Sequence, residues 1–226
     1  MFYWLVKFTL RPLFAVLFRP RVTGRHHVPR RGGALIASNH LSMTDSLFLP
    51  VMTHRRVSFL AKKEYFTGRG LKGRSTAAFV RWTGLIPIDR DDAQSAAHSL
   101  DQGADAVRQG RLLGVYPEGT RSPDGRLYRG KTGAARMAID TGAPVVPVAM
   151  VGTDRVQPIG KIVPRLTRVG IHFGAPLQPP VATSEPTAGQ EQARAFTEQI
   201  MAAIAELSRQ VRVDLDCADH KRSLRR

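Results

Sequence analysis

Ala34-Leu35-Ile36-Ala37-Ser38-Asn39-His40-Leu41-Ser42-Met43-Thr44-Asp45-Ser46-Leu47-Phe48-Leu49-Pro50-Val51-Met52 is the stretch that decides the fold. Ala34 to Ala37 is a short apolar run that reads as a buried strand, and Leu47 to Met52 reads as the buried side of a helix. The polar run Asn39 to Asp45 therefore sits at a strand-to-helix junction, where side chains point into a crevice. Ser42 followed by Asp45 resembles a capping box with Asp in the Glu position, which predicts a helix starting near Met43. The Asp45 carboxylate then lies back over the turn carrying His40 and can fix its tautomer, leaving the other ring nitrogen to accept a proton. Seven residues alone suit a surface pair or a cap equally well, so the chemistry turns on what else converges there.

Moving outward, Val57 to Ala61 reads as a second strand ending in Lys62-Lys63, and Gly84 to Arg90 as a third. Pro87 lacks a ladder donor and favours an edge position or a bulge. Residues 67–75, with three glycines and three cations, read as a mobile basic loop. Apolar residues from Asp92 to Gln109 recur at helical spacing, and Leu112 to Tyr116 is a strand running into Pro117-Glu118-Gly119-Thr120-Arg121-Ser122. That tight turn lets backbone amides and a guanidinium converge on one anion while Glu118 holds a cation or hydroxyl. Lys131 lies in Arg129-Gly130-Lys131-Thr132-Gly133-Ala134, which opens a further helix with two cations at its positive end. Ala143 to Val151 is the most apolar strand and is expected at the centre of the sheet, with Pro147 implying a bulge or an unpaired position. Thr167 to Phe173 is expected as a last strand, Pro176 to Thr187 as a proline-rich connection, and Glu191 to Val211 as a helix. Ligands in open α/β sheets collect at strand C-termini, which makes Lys62, Lys63 and Arg90 candidate phosphate contacts.

The expected architecture is one α/β domain with a central mixed, mostly parallel sheet flanked by helices. At 226 residues and 42% hydrophobic, the chain suffices for one well-filled core. Lys and Arg number 34 against 18 Asp and Glu, so the expected partners are polyanions. The single cysteine, Cys217, excludes an intrachain disulfide and a cysteine zinc site. The histidines show no metal-ligand spacing, and neither a metal nor a cofactor is expected. Aromatics are only 7% of the chain, with Phe2, Tyr3, Trp4 and Phe8 in one apolar run, which argues against single-strand nucleic-acid recognition.

Residues 1–18 are almost wholly apolar or aromatic, interrupted by Lys7 and Arg11 four apart. That is the pattern of an amphipathic helix lying in the headgroup region with both cations snorkelling outward, and it is too short to span a bilayer comfortably. A signal peptide is disfavoured by the missing charged leader and cleavage site, and a helix packed on the domain is the alternative. Arg19, Arg21, Arg25, Arg30 and Arg31 follow and would face an anionic phospholipid surface. Three segments are thus expected: residues 1–19 as a membrane-association helix, 20–213 as the domain, and 214–226 as a basic, disordered tail.

Asn39-His40-x-Ser42-x-x-Asp45, Gly84 to Arg90, and Tyr116-Pro117-Glu118-Gly119-Thr120-Arg121-Ser122, with Val146-Pro147-Val148 behind them, together resemble the ordered motif set of the glycerolipid acyltransferases. The closest resemblance is to the bacterial 1-acylglycerol-3-phosphate acyltransferases, over roughly residues 20 to 210. It implies that His40 is the general base and Asp45 its orienting partner in attack of a glycerol hydroxyl on the thioester of acyl-CoA or acyl carrier protein. It implies that Arg90, Glu118, Gly119, Thr120 and Arg121 hold the glycerol phosphate, with Lys62 in support, and that Pro147 shapes the acyl or acceptor pocket. Ser42 is read as a structural cap and not a nucleophile, and Tyr116 stands where phenylalanine is common. The implied acceptor is 1-acylglycerol-3-phosphate, with another lysolipid, an aminolipid or a glycolipid as alternatives. The expected location is the cytoplasmic face of the cell membrane, and a non-catalytic binder of anionic lipid or nucleic acid is the competing class.

Overall fold

A computed structural model describes residues 2–62, 86–88, 93–161 and 163–224. Seven strands, β1 (Arg21–Thr23), β2 (Ala34–Ser38), β3 (Val57–Lys62), β4 (Ile86–Ile88), β5 (Leu112–Val115), β7 (Val145–Val151) and β8 (Gly170–Phe173), form one sheet in the order β1-β8-β7-β2-β5-β3-β4. Every neighbouring pair is parallel except β7 and β8. The mixed, mostly parallel sheet is thus as expected, and β4 with its Pro87 stands at the edge. A separate parallel pair joins β6 (Leu127–Tyr128) to β9 (Arg212–Val213).

Alternation along the strands sorts the core into two layers. Ile36, Val146 and Val148 face α1 (Phe2–Phe18) and α2 (Asp45–Met52), packing with Phe18, Phe48 and Leu49. Leu35, Ala37 and Val145 face the other way, onto α3 (Ala93–Arg108), α4 (Gly133–Thr141) and α6 (Pro186–Ser208), through Val107, Ala135, Phe196 and Ile200. The short helix α5 (Thr153–Val156) adds Val156 to the α1 side. Helix α6 begins five residues before its expected start because Pro186, at its first turn, has the fixed φ that a helix N-terminus accepts. It ends at Ser208 with Arg209 left-handed, leaving Val211 exposed and off the helix. Pro147 continues the register with β2, opposite Ala37, and its missing N–H falls where β8 runs out, beside Gly174.

Helix α1 differs from expectation on its cationic face. Phe14 packs tilted and Phe18 edge-on against Phe48, at 4.8 and 5.1 Å between centroids, while Trp4, Leu5, Phe8, Leu13, Val16 and Leu17 stay exposed. Lys7 does not snorkel outward. It is buried and donates to the carbonyls of Thr53 and Arg55. Arg25 likewise donates to the Met52 carbonyl. Both cations therefore meet the negative end of α2, where carbonyls lack helical partners, and this replaces the headgroup role expected of them. Arg11, Arg19, Arg21, Arg30 and Arg31 are exposed.

The C-terminal segment is a second correction. Residues 217–223 form a helix, α7 (Cys217–Ser223), in place of a disordered tail. Asp216 caps it, accepting from the amides of Ala218 and Asp219, and Cys217 is fully buried.

Candidate active site

Strand β2 delivers the polar turn, and Asn39 fixes where the strand ends. Its buried amide pairs with the backbone of Met150 in both directions, receiving the Met150 N–H at 2.7 Å and donating to the Met150 carbonyl at 2.9 Å. A further bond to Gln210 Oε1 leaves this side chain no freedom. His40 follows with its ring 16% exposed. Its Nδ1 lies 2.9 Å from Asp45 Oδ2, which assigns the proton to Nδ1 and the free lone pair to Nε2.

Asp45 is wholly buried, and the same Oδ2 accepts the amides of Leu41 and Ser42 at 2.8 Å each. Three donors on one oxygen offset the cost of burying the charge and fix the side chain rigidly. The second half of the expected capping box is thus present, although α2 begins at Asp45, two residues later than expected, with no side-chain cap at Thr44. Ser42 is buried and its hydroxyl donates to the Gln157 carbonyl at 3.0 Å while receiving Thr44. That engagement fits the structural role expected of it.

The Tyr116 to Ser122 turn wraps the backbone of His40. The His40 N–H donates to Glu118 Oε1 at 3.1 Å, and the His40 carbonyl accepts from the Ser122 amide at 2.7 Å. Glu118 is 1% exposed and gives its other oxygen to the Tyr128 N–H at 2.9 Å. Burial pushes its carboxyl up to about 7, opposed by those two amides. Glu118 therefore anchors the turn that carries His40, one amide resting on each carboxyl oxygen. The Tyr116 ring lies flat against His40, at 3.8 Å and 10° between planes, with Phe59 stacked 5.4 Å behind it. Its hydroxyl meets Ser46 at 2.9 Å, and burial together with the Asp45 charge holds that phenol well above its usual range.

Gly119 has φ +74, a conformation open to glycine, and a Cβ there would press on Lys131 Cε at 3.2 Å. Lys131 thus lies over the turn, with Nζ 3.8 Å from Asp216 and more than half exposed, a pair that contributes little. Among the described residues the half-buried Arg121 makes no ion pair, and its carbonyl accepts from Cys217. Sequence reasoning missed Lys221, whose ammonium reaches Thr120 Oγ1 at 3.1 Å from α7. The Asp216 cap was the signal that could have found it. Pro147 is buried and pairs with Ala37 of β2, three residues before His40, and a Cβ built at Gly174 would meet its ring. Arg90, Lys63 and the 67–75 loop lie outside the described residues, as does the Lys62 side chain.

Residues 19–151 match the model of the family described as Acyltransferase. The chain belongs to the Acyltransferase family. It is 29% identical over 148 residues to a chloroplastic 1-acyl-sn-glycerol-3-phosphate acyltransferase of Brassica napus, covering 63% of this chain and 40% of the relative. A protein of the same description from Borreliella burgdorferi is 29% identical over 133 residues, covering 59% of this chain and 51% of the relative. The fold matches the crystal structure of PlsC, the 1-acyl-sn-glycerophosphate acyltransferase of Thermotoga maritima, with TM-score 0.64 and 26% identity over 83% of this chain and 71% of that one. This acyltransferase-family chain therefore spans about half the length or less of those two sequence relatives. The family segment holds both the His40 turn and the Arg121 turn, whereas α7, with Lys221, falls outside it. No helix among the described residues is long and apolar enough to cross a membrane.

Proposed function

We propose that this chain transfers a fatty acyl group from acyl-CoA or acyl carrier protein to the sn-2 hydroxyl of 1-acylglycerol-3-phosphate, giving phosphatidic acid. One observation carries the reading: the turn holding the His40–Asp45 pair is hydrogen-bonded, through both backbone groups of His40, to the turn holding Arg121. Nε2 of His40 takes the hydroxyl proton as that oxygen attacks the thioester carbonyl. The C–O bond forms, the C–S bond breaks, and the imidazolium returns the proton to the departing thiolate. Asp45 stabilises the imidazolium and fixes the ring, with no acyl-enzyme on Ser42, whose hydroxyl is already engaged. Arg121 binds the acceptor phosphate, with Lys131 and Lys221 on either side of the turn and Lys62 and Arg90 in support.

Helix α1 seats the protein on an anionic bilayer through its exposed Trp4, Leu5, Phe8, Leu13, Val16 and Leu17, at the cytoplasmic face where the acyl donor is made available. The relatives' names support the acceptor. Radiolabelled acyl-CoA offered with a panel of lysolipids tests the reaction. Lysophosphatidic acid is expected to turn over, His40→Ala to abolish transfer while leaving vesicle binding unchanged. Turnover of an aminolipid or glycolipid with none of lysophosphatidic acid would overturn the acceptor assignment, and a His40→Ala protein with parental rate would overturn the mechanism.

A further inference from the structure

The segment between α5 and β8 has no part in the chemistry above, yet it exposes large aliphatic side chains. Val163 is 77% exposed, Leu166 65% and Ile159 45%, within a run that also carries Pro158, Gly160 and Pro164. Exposed Arg155, Lys161, Arg165 and Arg168 are interspersed with them, and among the described residues none of the four makes an ion pair. From residue 155 to 168 there is no acidic side chain. Apolar side chains held out between uncompensated cations are complementary to one kind of partner: a surface with phosphate charge outside and hydrocarbon within.

The segment is also placed between the two elements that such a surface must serve. At its start, the Gln157 carbonyl accepts from Ser42, two residues from His40, and next to Ser42 the Met43 side chain is 59% exposed. At its end, the Val169 carbonyl accepts from Arg21 at 2.8 Å, three residues past α1. Val156 and Val169, which flank it, share a core layer with Phe18 of α1. Helix α1 and the segment carrying Ile159, Val163 and Leu166 are thus anchored to the same core layer.

We propose that residues 155–161 and 163–168 form a second contact with anionic phospholipid bilayers, with Ile159, Val163, Leu166 and Met43 entering the interfacial layer and the four cations meeting headgroup phosphates. This contact sets the catalytic turn at the lipid boundary, where an acceptor can reach His40 without leaving the bilayer. The proposal rests on the membrane-seated acyltransferase reading given above.

The test uses the full chain and exploits Cys217, whose burial shields it from labels. Val163→Cys and, as a control, Val181→Cys carry an environment-sensitive fluorophore; Val181 is 89% exposed beside α6, on the other face of the sheet. Vesicles of phosphatidylcholine with phosphatidylglycerol are expected to shift the label at 163 to the blue and leave that at 181 unmoved. Ile159→Ser/Val163→Ser/Leu166→Ser should weaken vesicle binding about ten-fold or more, and should slow transfer to a vesicle-embedded acceptor while sparing a monodisperse short-chain one. An unmoved label at 163 on protein that pellets with vesicles would overturn the proposal. So would a shift that tracks protein concentration without lipid, which would mark a contact between copies of the chain. Absence of transfer to every acceptor, with the label at 163 still shifting, would instead remove the acyltransferase reading and leave the lipid contact standing.

Discussion

Glutamine in place of Glu118 separates holding His40 from holding the fold together. The carboxylate accepts two buried amides, one per oxygen, from His40 and Tyr128. Glutamine keeps one carbonyl oxygen, so one amide must face an NH2 group and loses a buried acceptor, at about 1–3 kcal/mol. Burial has moved the Glu118 carboxyl from 4.5 to about 7, so above that pH the ionised group costs on the order of 3 kcal/mol that a neutral amide avoids. The two terms nearly cancel at about pH 8, and the variant should melt close to the parent there. The pH trend has a definite sign: with the folded pKa above the unfolded one, the contribution of Glu118 is fully present below about pH 4 and is lost as pH rises through about 7. The parent's stability relative to the glutamine variant should therefore fall across that window. Activity should not be spared, because a shift of His40 on the order of an ångström is worth about a hundred-fold in rate. Thermal melts at about pH 5 and 8, paired with kcat/KM from labelled acyl-CoA, check both halves. A variant with parental kcat/KM would refute the assignment of Glu118 as the residue that positions His40.

Asp45→Asn keeps the shape but makes three charge-assisted bonds neutral, and should lower kcat by about a hundred-fold or more with KM for the acceptor little changed; steady-state kinetics decide it. Arg121→Ala and Lys221→Ala should each raise KM for lysophosphatidic acid by about ten-fold, the loss of one hydrogen bond to a charged group, and should leave transfer to an uncharged 1-acylglycerol unaltered. Cys217 is buried and its thiol is pushed up to about 11, so a thiol reagent near neutral pH should react only on unfolding; rapid labelling of the native chain would show that α7 does not dock. Tyr116→Phe should keep the stack on His40, lose about 1 kcal/mol with the Ser46 bond, and leave the rate within a factor of about three; a melt and a rate assay measure the two.

The parallel sheet was legible because its strands are short apolar runs, such as Ala34 to Ala37 and Val145 to Val151, that no amphipathic helix would leave continuous. Pro87 announced an edge for the same local reason. The pairing of His40 with Asp45 was legible because both lie within one turn. What the sequence could not display was any role set by a distant partner. The anchoring part of Glu118 was hidden because nothing local says that its two oxygens meet amides 78 residues upstream and 10 downstream. Lys7 looked like a snorkelling cation because helical periodicity names a stripe but not which way the stripe turns, and the carbonyls that capture it are those of Thr53, which caps α2, and of Arg55 just beyond. The charged composition after Asp214 suggested a tail, yet one caching side chain, Cys217, fills space under the Arg121 turn.

The His40 N–H donates to the Glu118 carboxylate and the Ser122 amide to the His40 carbonyl, which ties the two turns together at one residue. On the proposed reading, the proton acceptor and the anion receptor are thereby carried on one hydrogen-bonded unit. Such a unit would then work as a gauge, selecting a lysolipid by the interval between its free hydroxyl and its negative group.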